Sequence, residues 1–154
     1  MRKLISLALL FMLITLAQAN ETLNKLSPVK VSVFGLKDLE FKEELRTKIE
    51  LSLRKSGISV CNEDSNANLF LDLEVSVLNI DQRGELTGYT YHTSLVGQAR
   101  SKLVINDEHT LSLVFSRANH GIVSKNLYEL IRGNTRVYID DFCNQYLKAN
   151  TIQK

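Results

Sequence analysis

Six apolar side chains alternate without interruption across residues 67–77, ANLFLDLEVSV. Ala67, Leu69, Leu71, Leu73, Val75 and Val77 fall on one side of an extended chain; Asn68, Asp72, Glu74 and Ser76 fall on the other. Successive side chains of a strand point to opposite faces, so the run specifies a strand with one buried and one wetted face. That pattern belongs to a sheet covered on one side, its back solvated.

Residues 29–36, VKVSVFGL, alternate as well, with Val29, Val31 and Val33 opposite Lys30, Ser32 and Phe34. Asp38 then has the character of a helix N-cap, and Glu40, Glu43 and Glu44 follow where the helix dipole favours acids. Phe41, Leu45, Ile49 and Leu53 form one stripe, and Gly57 suits the residue after the C-cap. A short strand is expected at 58–61 and a long hairpin loop at 81–88. The next long strand, 89–105, has Tyr91, Thr93, Leu95, Gly97, Ala99, Leu103 and Ile105 inward, with His92, Ser94, Gln98, Arg100 and Lys102 outward. Gly97 in mid-strand marks a bulge or a close helix crossing. After the turn NDEHT, residues 111–118 form another strand with Leu111, Leu113 and Phe115 inward, and 119–121, NHG, read as a turn or bulge. Residues 124–150 read as a long helix, with a break or kink possible at Gly133-Asn134-Thr135. The expected fold class is α+β: a mainly antiparallel sheet of about five strands with two helices packed on one face.

Residues 1–19 carry a different pattern. Arg2 and Lys3 precede an uncharged, mostly apolar run, and Ala17-Gln18-Ala19 places small residues at a cleavage site before Asn20. The run is short for a bilayer-spanning helix, so a cleaved signal peptide and a periplasmic or secreted protein without stable membrane insertion are expected. Residues 20–28 are then a polar lead-in, 29–150 a single domain and 151–154 a tail. Removing 19 of the 154 residues leaves 135, and removing Arg2 and Lys3 from the 19 basic residues leaves 17 against 17 acidic ones. A neutral domain offers no electrostatic reason to bind nucleic acid.

In its order VKVSVFGL, helix, short strand after Gly57 and then ANLFLDLEVSVL, the chain resembles small exported α/β proteins of the Gram-negative envelope. Similar organisation is found in the N-terminal domain of the Tol translocation beta-propeller protein and in curli-secretion channel subunits, where an alanine opens the strand as Ala67 does here. The resemblance covers about residues 29–118. It implies an interaction module of envelope assembly rather than an enzyme. The curli type carries a lipidated cysteine and a membrane-inserting segment that this chain lacks, so pore formation is not implied. The C-terminal stretch FCNQYLKAN also looks like the ends of exported proteobacterial proteins.

The residues that bear chemistry are few. Cys61 and Cys143 are the two cysteines. In an oxidising compartment such a pair favours a disulfide, and closing a loop of about 80 residues would contribute about 4 kcal/mol. The alternatives are two unpaired thiols or, least of all, a catalytic thiol. Asp140 and Asp141 beside Cys143 would raise its pKa, contrary to what a nucleophile needs. His92, His109 and His120 are isolated in sequence and show no metal-ligand spacing, so no metal site and no cofactor are expected. No nucleotide-binding or hydrolase motif occurs. Tyr89, Tyr91 and His92, beside the glycine-containing loop, are the candidate binding residues; core packing of Tyr91 is the plainer reading.

Three functions follow. The first is a non-catalytic periplasmic accessory that binds an envelope protein. The second is a small-ligand-binding protein with a site between helices and sheet near Tyr89–His92. The third is a Cys/His enzyme, which would require His92 or His120 to approach Cys143.

Overall fold

The computed structural model describes residues 26–102 and 109–151. The expected signal segment, most of the polar lead-in, inward Leu103 and Ile105, the 106–108 turn and the 152–154 tail lie outside the described residues. Five strands and two helices run in the order β1 (Val29–Phe34), α1 (Leu39–Lys55), β2 (Val60–Cys61), β3 (Leu69–Gln82), β4 (Glu85–Lys102), β5 (His109–Val123) and α2 (Leu127–Thr151). The strands form one mixed sheet in the order β2-β1-β3-β4-β5. β1 is parallel to both β2 and β3, whereas the long β3–β4 and β4–β5 pairs are antiparallel. The fold is α+β, as the strand alternation and the two expected helices predict.

Register carries the alternation across the sheet. Val31 lies opposite Leu71 and Leu71 opposite Gly97; Val33 lies opposite Leu73 and Leu73 opposite Leu95. All of these point to the face that the helices cover. Phe41, Leu45, Ile49 and Leu53 of α1 and Ile131, Tyr138, Ile139, Phe142 and Tyr146 of α2 complete the core from that side. Asp38 caps α1 as expected, its carboxylate accepting from the Phe41 amide at 3.0 Å. Arg132 joins the two helices with a two-pronged pair to Glu44, at 2.8 Å and 2.7 Å, while its guanidinium lies over the Phe41 ring.

Four local expectations change. The long loop at 81–88 is a two-residue turn: Arg83 and Gly84 both have positive φ, which matches the twist of the flanking strands. The strands therefore pair out to Gln82 and Glu85. Residues 119–121 are not a turn but remain in β5, pairing with Thr93, His92 and Tyr91. A Cβ at Gly121 would meet the Tyr91 ring at 3.2 Å, so the ring would have to shift by a few tenths of an ångström to admit one. α2 runs unbroken through Gly133-Asn134-Thr135. Asn134 bonds to the buried Thr93 hydroxyl, which the Tyr138 hydroxyl also contacts, and this fastens mid-helix to the sheet.

The fourth change concerns β5. The β4–β5 register shifts between Gly97 and Gln98: Phe115 lies opposite Gly97, but Leu113 rather than Val114 lies opposite Gln98. One extra residue inverts the parity of everything before it. Phe115 stays inward and stacks edge-on against Phe142 at 5.3 Å. Leu111 and Leu113, expected beside it in the core, point to the opposite face and are exposed.

Candidate interaction surface

The helices cover one face of the sheet; among the described residues no element covers the other. Its side chains are the even positions of β1, of β3 through Ile80 and of β4 from Gly88 to Arg100 and, because of the β5 bulge, Leu111 and Leu113 early in β5 with the even positions from Ser116 onward. Phe34, Leu78, Leu111, Leu113 and Ile122 stand on this face with 50–75% of their surface open. Leu111 and Leu113 mark one end and Leu78 and Ile122 the other; nine residues separate Leu113 from Ile122, about 30 Å of strand.

The middle of the face is polar. Asp72 is half-buried between Ser32 and Val96. Burial pushes its carboxyl above the usual aspartate range, and the Ser32 hydrogen bond and Lys30 charge only partly oppose this. At the β1–β2 end, Lys30 pairs with Asp64, and Arg100 lies over the Phe70 ring while bonding to the Asp64 carbonyl.

The sequence-designated residues do not assemble on one surface. Tyr89 and Tyr91 face the helices, and Tyr91 lies against Gly121. His92 points the other way, in the row Ser76–His92–His120. A groove of about 530 Å³ lies elsewhere, between α1 and α2, with Lys48, Lys55, Arg132 and Arg136 at its mouth and Leu45, Ile49 and Ile139 beneath.

The expected Cys61–Cys143 bridge is not formed: both cysteines are free thiols. The reason is parity. Cys61 is in register with Lys30, whose neighbours Val29 and Val31 are core, so Cys61 shares the open face. Its sulfur lies 3.6 Å from the Glu63 carbonyl. Cys143 is buried on α2 against the other face, beside Ser56 at the end of α1. A bond would have to pass through the sheet. Burial pushes the Cys143 thiol up, Ser56 partly offsets this, and Asp140 adds to it. That is the reverse of an activated nucleophile. His92 and His120 lie across the sheet from it, so the Cys/His arrangement that a thiol enzyme would need is not assembled.

Sequence reasoning missed two features of this surface. The outward turn of Leu111 and Leu113 depends on the bulge, for which mid-strand Gly97 was the only signal. The pairing of His92 with His120, 28 positions apart, depends on hairpin register.

No protein-family model matches the chain, and no curated protein matches it. Solved structures do. The chain is similar to a PelC dodecamer variant from Paraburkholderia phytofirmans, at 12% identity over 75% of this chain and 87% of that one, with a TM-score of 0.45. It is also similar to a minor lipoprotein from Acinetobacter baumannii, at 14% identity over 79% and 88%, with a TM-score of 0.38. A third likeness is to rare lipoprotein B from Shewanella oneidensis, at 13% identity over 78% and 92%, with a TM-score of 0.31. No residue of this chain takes a role from them. Among the described residues no helix is long and apolar enough to cross a membrane.

Proposed function

We propose that this protein is a non-catalytic accessory of the bacterial cell envelope, working in the periplasm, and that it binds a protein partner through the open face of its sheet. The observation that carries the reading is the uncovered face itself, with large apolar side chains at both ends. Isolated exposed apolar residues are ordinary, but several on one flat face beside a polar centre have the layout of an interaction site. The face measures about 30 Å along the strands and about 20 Å across them, the order of one side of a standard protein interface. The signal-like residues 1–19 support the compartment. The resemblance of residues 29–118 to Tol- and curli-type envelope modules supports the role.

A photo-crosslinking amino acid placed at Leu113 in living cells tests this. The expected result is one discrete adduct, lost when Ile122→Asp is introduced at the other end of the face. The control position is Leu51, exposed on α1. No adduct from Leu113, or the same adduct from Leu51, would overturn the assignment.

A further inference from the structure

The geometry points to a metal site on the same face: His92 and His120 together chelate a divalent late transition metal, with Cu2+ bound most tightly. The two histidines are directly opposite each other on antiparallel β4 and β5, and both are exposed. Directly opposed residues have Cβ atoms about 5 Å apart. Two imidazoles rooted at that separation can each bring one ring nitrogen to about 2 Å from a shared ion.

The surroundings favour a cation. Ser76 on β3, Ser94 on β4 and Ala118 on β5 are the adjoining small side chains and leave room for water ligands. Glu74 lies diagonal to His92 across the β3–β4 pair and contributes negative charge. The cations of this face are remote: Arg100 is eight residues from His92 along β4, about 27 Å. Arg117, near His120 on β5, is turned to the helix face, where it pairs with Asp141 at 2.9 Å.

The donor set decides the metal. Imidazole nitrogens suit copper, nickel and zinc, and divalent affinities peak at Cu2+. Among the described residues no group of three or more histidine, cysteine or carboxylate side chains converges. The pair therefore supplies two ligands and water supplies the rest, an open site rather than a closed structural zinc site. The site does not depend on the docking role proposed above.

The test is a Cu2+ titration of the purified protein at neutral pH by calorimetry, with frozen-solution electron paramagnetic resonance to count coordinating nitrogens. The expected result is one Cu2+ per chain held by two imidazole nitrogens, with weaker binding of Zn2+. His92→Asn and His120→Asn should each weaken Cu2+ binding more than about tenfold, an effect that even loss of an outer-shell partner produces. Each should also leave a one-nitrogen spectrum, while His109→Asn leaves affinity and spectrum unchanged. Circular dichroism confirms that the variants are folded. Wild-type affinity in either His92→Asn or His120→Asn, a one-nitrogen spectrum for the wild type, or an equal loss in His109→Asn would each overturn the site.

Discussion

Leu113 is where the bulge in β5 has its largest measurable consequence. Uninterrupted alternation with Phe115 would place Leu113 in the core, where Leu→small substitutions cost about 2–5 kcal/mol. The register shift places it on the open face, 65% exposed. Full burial of a leucine side chain is worth about 1.5–3 kcal/mol, and only about a third of that surface is withdrawn here. Leu113→Thr, which keeps a β-favouring residue on an edge strand, should therefore cost about 0.5–1 kcal/mol. The comparison is Leu95, fully buried on neighbouring β4, for which Leu95→Ala should cost about 2–5 kcal/mol. Urea unfolding followed by circular dichroism gives both values, with unchanged slopes indicating a true stability change. A loss above about 2 kcal/mol for Leu113→Thr would refute the bulge and restore unbroken alternation to β5.

Three further outcomes are expected. The Thr135 hydroxyl is buried on α2 without a hydrogen-bond partner among the described residues, so isosteric Thr135→Val should raise the unfolding free energy, by at most about 1–3 kcal/mol; a fall would show that the hydroxyl is paired. Hydrogen bonds from Arg132, then Lys48, hold the Glu44 carboxyl down at about 2, so its stabilising effect is complete above the unfolded carboxyl's value and fades as pH falls from about 4.5 toward 2. The Tm difference between wild type and Glu44→Gln should shrink over that interval, and a difference constant down to pH 2 would remove Glu44 from the helix–helix contact. In protein prepared without reductant, one thiol, that of half-exposed Cys61, should react in the native state and a second only after denaturation; no reactive thiol in either state would establish the bridge instead.

The features legible in the chain alone are periodic and local. Alternation at 29–33 and 67–77 set which residues of β1 and β3 are core, and the stripe Phe41, Leu45, Ile49, Leu53 with its Asp38 cap set α1 almost to the residue. These signals are strong because a side chain's direction in a strand or helix follows from its position alone. The tertiary structure decided whatever depends on how two distant segments align. A single extra residue opposite Gly97 turned Leu111 and Leu113 outward, hairpin register set His92 against His120, and strand parity put Cys61 across the sheet from Cys143. The bare face of β3 is legible in its own alternation, but which residues of β5 share that face is not. The site lies on that face, so the residues that form it became visible only when the strands were aligned.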